Sequence, residues 1–127
     1  MPDSFTLTLP ARPEAPTRAR REVAGRLGDR LNGRLGDVEL MLSELVTNAV
    51  KHGAAAADDE VRVEVESEPG LVRVIVSDPG TGFRFTPRAP GDDTTAGWGL
   101  YLVDRLADRW GAGREQGRTR VWFEIDA

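Results

Sequence analysis

The 127-residue chain contains no cysteine. A disulfide framework, a thiolate zinc site and a cysteine nucleophile are therefore all excluded. It has a single histidine, His52, so a multi-histidine metal centre is excluded as well. No stretch of about 18 consecutive apolar residues occurs, which leaves no candidate membrane-spanning helix. The opening, MPDSFTLTLP, lacks the charged and apolar regions of a secretory signal. Lysine is nearly absent: Lys51 stands against a background of arginine. Excess positive charge is missing too, with 17 basic against 21 acidic residues and a net charge of −4. An acidic chain without a strongly basic face is a poor candidate for nucleic-acid binding. The expectation is a cytoplasmic protein with no direct nucleic-acid or membrane partner.

What is present suffices for one domain. Hydrophobic residues make up 39% of the sequence, enough for a real core at this length. Phe5, Leu7 and Leu9 alternate with threonines, the pattern of a half-buried strand. Ala19, Val23, Leu27 and Leu31 then recur every four positions and predict a first helix from Pro16 to Leu31. Arginines 18, 20, 21, 26, 30 and 34 give that helix a basic side, either a solvated face or a partner-binding surface. Asp37 is placed to cap a second helix that runs to His52 and stops at Gly53. Val38, Met41, Leu42, Leu45, Ala49 and Val50 form its buried side. Residues 61–66 and 71–77 read as a hairpin turned at Glu68-Pro69-Gly70. Leu100, Val103, Leu106, Ala107 and Trp110 predict a third helix stopped by Gly111, and Thr119 to Ile125 a last strand. Strands apolar on one face only suit a mainly antiparallel sheet with helices covering that face.

The informative residues are polar ones that interrupt these patterns. Glu44, Asn48, Lys51 and His52, at i, i+4, i+7 and i+8, share one face of the second helix. That stripe is either an exposed polar face or a carboxylate, an amide and a cation aligned for a hydrated Mg²⁺ and phosphates. Asp78 continues the inward face of Val72, Val74 and Val76. It either opens an Asp-Pro-Gly turn or presents a buried carboxylate to an exocyclic amino group such as that of adenine. Thr119 continues the face of Val121, Phe123 and Ile125 and can assist. Gly80 and Gly82 permit close backbone approach, and Gly97-Trp98-Gly99-Leu100 opens a helix whose N-terminus suits phosphate. Neither glycine run is a Walker loop. The segment 79–97, rich in Gly, Pro, Asp and Thr, is too long for an ordinary connection, and such loops are usually functional or disordered.

Taken together, ELVTNAVKHG (44–53), DPGTGF (78–83) and GWGLYLV (97–103) resemble, in order and spacing, the N, G1 and G2 boxes of the Bergerat-fold (GHKL) ATPases. The chain looks like the stand-alone anti-sigma factor serine/threonine kinases of the RsbW and SpoIIAB type. The resemblance implies a single histidine-kinase-like ATPase domain over residues 1–127, folded as an α+β two-layer sandwich with a mixed, mainly antiparallel sheet and helices on one face. It implies ATP and Mg²⁺ as cofactors, with Asn48 as the metal ligand and Glu44 as general base or orienter of the attacking hydroxyl. Lys51 and His52 would lie near the phosphates and Asp78 would bind adenine. Gly80, Gly82 and Phe83 would line the base. Arg84 and Arg88 would belong to an ATP lid over 84–96. Gly97, Trp98, Gly99 and Leu100 would form the phosphate cradle, and Thr119 would support the adenine. A sigma factor and a STAS-type anti-anti-sigma antagonist are the implied partners, and a homodimer is admitted. No dimerisation helix with a phosphoacceptor histidine precedes the boxes, and His52 lies inside the first box, so the pattern is not that of a complete sensor histidine kinase. Two other readings stay open: a binding module shaped by ATP, and an ATPase without a protein substrate.

Overall fold

The computed structural model of the chain describes residues 3–53, 59–80 and 98–127, with the backbone alone described at 29, 52, 53, 98 and 99. Among the described residues five strands form one sheet: β1 (Asp3–Pro10), β2 (Glu60–Glu68), β3 (Leu71–Asp78), β4 (Arg109–Glu115) and β5 (Arg118–Asp126). Their order is β1-β2-β3-β5-β4, and all four pairings are antiparallel. The parallel component allowed for in a mixed sheet is therefore absent among the described residues. Among the described residues there are three α-helices, α1 (Ala15–Leu27), α2 (Leu35–Asn48) and α3 (Trp98–Leu106).

Period-two alternation decides which side of the sheet is covered. Val61, Val63 and Val65 of β2, Val72, Val74 and Val76 of β3, and Val121, Phe123 and Ile125 of β5 are all buried. Against them pack Ala19, Val23 and Leu27 of α1, Met41, Leu42 and Leu45 of α2, and Leu100 and Val103 of α3. This is the expected two-layer sandwich. Removing the larger of these side chains would cost about 2–5 kcal/mol each.

Helix boundaries follow local chemistry. Pro16 lies in the first turn of α1, where its missing N–H is not needed. The α1 hydrogen bonding ends at Leu27, earlier than the apolar repeat suggests, and a 3₁₀ turn over Gly28–Arg30 carries the chain to buried Leu31. Asp37 does not cap α2: the helix begins at Leu35 with Arg34 at the N-cap position. Asp37 sits in the first turn instead, where a carboxylate still complements the positive helix end.

Arg34 has a further use that a basic outer face does not foresee. Its guanidinium donates to Asp108 Oδ2 at 2.8 Å and to the Leu106 carbonyl at 2.7 Å. It thereby satisfies the C-terminal end of α3 and ties it to the start of α2. Arg20 donates to Ser43 Oγ at 3.3 Å across α1 and α2, Arg26 lies 4.5 Å over the Phe5 ring, and Arg30 pairs with Asp3. Much of the arginine-rich side thus has intramolecular partners. Arg18 and Arg21 are exposed.

The third helix is shorter than its apolar spacing predicts. It ends at Leu106, and Trp110 and Gly111 belong to β4. Trp110 mimics a helical position because its inward-facing strand side chain comes seven residues after Val103. Its indole N–H donates to Asp104 Oδ1 at 3.0 Å. Gly111 is not a helix stop but a contact point. A Cβ there would lie 2.8 Å from the Trp122 indole, so the ring packs directly on the β4 backbone. The β4–β5 connection is the pair Gln116-Gly117, both with positive φ (52° and 76°), the twist a two-residue hairpin demands.

Candidate functional site

The N-box residues lie at the end of α2. The last α-helical residue is Asn48, and Ala49–Gly53 continue as a π-helical turn. The wider i→i+5 winding shifts everything after Asn48 out of α-helical phase, and such turns cluster at functional sites. The single stripe Glu44–Asn48–Lys51–His52 therefore does not persist as one α-helical face. Lys51 is exposed, and only the backbone is described at His52. The π-turn packs against β3.

Glu44 and Asn48 remain one α-turn apart. Glu44 is half-buried and Asn48 is only 9% exposed. Neither side chain has a hydrogen-bond or ion-pair partner among the described residues. Among the described residues no side-chain polar atom sealed from solvent lacks a partner, so the unpartnered Asn48 amide is still open at its surface, where a ligand can reach it. A carboxamide oxygen is also a hard donor of the kind Mg²⁺ takes.

Asp78 is the last residue of β3 and is 3% exposed. Its Oδ1 accepts from the Gly80 N–H at 2.8 Å, so it does open the Asp-Pro-Gly turn. The two readings of Asp78 are thus compatible, because a carboxylate has acceptor capacity beyond one bond. Burial raises the carboxyl above the ordinary aspartate range. The Gly80 N–H and the charges of Arg118 and Arg114 oppose that rise.

Thr119 pairs with Asp78 in register across β3 and β5 and is 1% exposed. Its hydroxyl donates to the Gly80 carbonyl at 2.8 Å. In this arrangement Thr119 braces the turn that carries Asp78. Arg118, on the other side of β5, donates to the Ser77 and Glu60 carbonyls at 3.1 Å each. Sequence reasoning passed over Arg114 and Arg118. Their signal was positional: each flanks the Gln116-Gly117 turn, but only once β4 is recognised as a strand.

The glycine-box residues are placed unevenly. Trp98 and Gly99 open α3, whose first inward side chain, Leu100, is fully buried. Gly82, Phe83, Arg84, Arg88 and Gly97, and with them the whole segment 84–96 expected to form the lid, lie outside the described residues.

Residues 9–125 match the histidine kinase-like ATPase domain family. The chain belongs to that family. Among curated relatives, the serine-protein kinase RsbW of Listeria monocytogenes serotype 4a is 34% identical over 123 residues, covering 85% of this chain and 78% of that protein. The RsbW of Bacillus pumilus is 32% identical, covering 84% of this chain and 75% of that one. The expectation of an ATP-binding protein of the RsbW type is met by these relatives. In fold, the chain is similar to the structure of the RsbU and RsbW domains of Rv1364c from Mycobacterium tuberculosis, with a TM-score of 0.74 at 22% identity. That match covers 98% of this chain but 32% of the other. The histidine kinase domain of the Erythrobacter litoralis EL346 blue-light-activated kinase is similar at TM-score 0.58 and 21% identity, covering 87% of this chain and 58% of that one. Among the described residues no helix is long and apolar enough to cross a membrane, and no cluster of acidic or histidine side chains is built to hold a metal. A metal held by one amide together with the nucleotide's phosphates would need no such cluster.

Proposed function

We propose that this chain is a cytoplasmic, single-domain, ATP-dependent serine/threonine protein kinase. It acts on a small STAS-type antagonist protein and sequesters a sigma factor. One observation carries the reading: the mostly buried but solvent-reachable Asn48 amide and the half-buried Glu44 carboxylate, one turn apart on α2, are unpartnered among the described residues. Family membership and the RsbW relatives support it.

The residues fit Mg·ATP. Asn48 offers its side-chain oxygen to the metal, and Asp78 offers its carboxylate to the exocyclic amino group of adenine. Gly80 leaves room for the base beside the turn that Thr119 braces. Lys51 and His52, in the π-turn that follows Asn48, retain their expected phosphate roles, and the N-terminus of α3, at Trp98, Gly99 and Leu100, contributes backbone N–H groups. Gly82, Phe83, Arg84, Arg88 and Gly97 retain their expected roles in the base contact, lid and cradle. When bound, Mg·ATP supplies the phosphoryl group and neutralises the charge of its transfer. Glu44 orients the acceptor hydroxyl and takes its proton as that oxygen bonds to phosphorus, the bond to ADP breaking and ADP leaving with the electron pair.

A base contributes about 10²–10⁴-fold, and Glu44 makes no necessary contact with ground-state ATP. Glu44→Gln is therefore expected to bind ATP and partner nearly as wild type while phosphorylating the antagonist at least about tenfold more slowly. The measurement is transfer from labelled ATP to the candidate antagonist. Wild-type protein that binds a sigma factor but transfers no phosphate would replace the kinase with a binding module. Transfer by Glu44→Gln at the wild-type rate would leave a kinase with a different base.

A further inference from the structure

Three polar residues lie in one cross-strand row on the helix-covered face of the sheet. Asp78 of β3 pairs with Thr119 of β5, and Thr119 pairs with Arg114 of β4. Arg114 continues the inward positions of Trp110 and Ala112, which pair with Phe123 and Val121. Unlike them it is exposed, so core packing does not explain it. Its guanidinium donates to the Gly80 carbonyl at 2.5 Å, to Thr119 Oγ1 at 3.0 Å and to the Gly117 carbonyl at 3.0 Å. The acceptors are two carbonyls and a hydroxyl, none of them a carboxylate. Two of these bonds stay within its own hairpin, whereas the Gly80 bond reaches across 34 residues of sequence. Thr119 donates to that same Gly80 carbonyl, and the Gly80 N–H donates back to Asp78.

We propose that Arg114 is a positioning residue for adenine: it clamps the Asp78-Pro79-Gly80 turn onto the β4–β5 hairpin and so fixes where the Asp78 carboxylate meets the base. The inference rests on the ATP-site reading above and adds a residue that reading did not contain. A guanidinium fork bridges three acceptors at fixed angles, which a hydroxyl alone cannot do. With its bonds directed at protein acceptors, Arg114 acts through the turn and through its charge.

Among the described residues the charged groups that act on Asp78 are Arg118 from β5 and Arg114 from β4. Arg114 and Arg118 favour the ionised carboxylate. Neutralising Arg114 moves the Asp78 titration upward. A protonated carboxyl is a poorer acceptor for an amino group, so adenine binding would then be lost at a higher pH as the solution is acidified.

The test is calorimetric titration of the full chain with ADP, without Mg²⁺, between about pH 8 and about pH 4.5, a window above the ordinary aspartate value in which a raised carboxyl titrates. Wild type, Arg114→Met and Arg114→Lys are compared, with thermal unfolding as a check on folding. Arg114→Met should bind ADP roughly five- to twentyfold more weakly at neutral pH, with its acid midpoint moved upward. Arg114→Lys should restore the midpoint but only part of the affinity, because an ammonium cannot span all three acceptors. ADP affinity unchanged in Arg114→Met at every pH would overturn the proposal. So would equal losses in both variants with the wild-type midpoint, the signature of a brace without electrostatic influence. Wild-type protein that binds no ADP would overturn the adenine-site reading itself, a failure seen before any variant is compared.

Discussion

Two nearly buried carboxylates sit on opposite faces of the same sheet, and their surroundings differ in kind. Glu124, on the face away from the helices, is 6% exposed. It accepts from Arg109 at 2.6 Å and from Arg73 at 2.8 Å and 2.5 Å. Those bonds, Arg109 first, hold its carboxyl below the ordinary glutamate range. Arg73 also lies 5.3 Å over the Trp122 ring, and Arg109 goes on to pair with Asp126. Asp78, on the helix side, is 3% exposed and accepts from one backbone N–H, while its two arginines bond to neighbouring carbonyls. Burial leaves its carboxyl raised. A carboxylate saturated by guanidinium groups is a fastener. One surrounded by arginines that grip its neighbours keeps acceptor capacity free, which the proposed adenine contact requires.

The comparison can be broken by removing each charge in turn. Glu124→Gln leaves two guanidinium groups with a weaker acceptor and should destabilise the protein by about 1–2 kcal/mol in urea unfolding at neutral pH. A lowered native pKa means this stability is present above the unfolded glutamate value and is lost as pH falls through the native one. The difference between wild type and variant should therefore vanish in acid. Gly111→Ala tests the same face by packing, since its methyl meets the Trp122 indole at 2.8 Å. A cost of roughly 1 kcal/mol is expected, with altered tryptophan fluorescence as the ring moves.

The smallest effect should have the opposite sign. The raised native pKa of Asp78 means that ionisation there opposes folding at neutral pH, and that this opposition is absent below the unfolded aspartate value. Asp78→Asn should therefore raise the melting temperature of the nucleotide-free protein by roughly 2–5 °C at neutral pH, and the gain should disappear on acidification. A variant less stable than wild type at neutral pH would mean that Asp78 is also a fastener.

The contrast explains what was legible in the sequence. The alternating valines of β2 and β3 and the four-residue repeat of α1 are signals of burial, and burial fixed those elements. Asp78 and Thr119 were readable because each continues an apolar face with a polar side chain. Strand β4 was not, since RWGAGRE offers two glycines and one inward aromatic, and Trp110 falls in step with α3. Its stability comes from Trp122 packing on Gly111 and from the Gln116-Gly117 turn, both tertiary facts. Arg114 was hidden with it. The π-turn after Asn48 was equally hidden, because side-chain spacing assumes an α-helix until the backbone departs from one.

The most direct test of the account is nucleotide titration of Asp78→Asn beside Glu124→Gln, both at neutral pH and well below their melting temperatures. Asp78→Asn is expected to weaken ATP binding by roughly 1–3 kcal/mol, the range for a lost hydrogen bond to a charged group, and to narrow the preference for ATP over GTP. Glu124→Gln, though the less stable protein, is expected to bind ATP as wild type does. Wild-type ATP affinity in a folded Asp78→Asn variant, or an equal loss in both variants, would contradict the assignment of Asp78 to the nucleotide site.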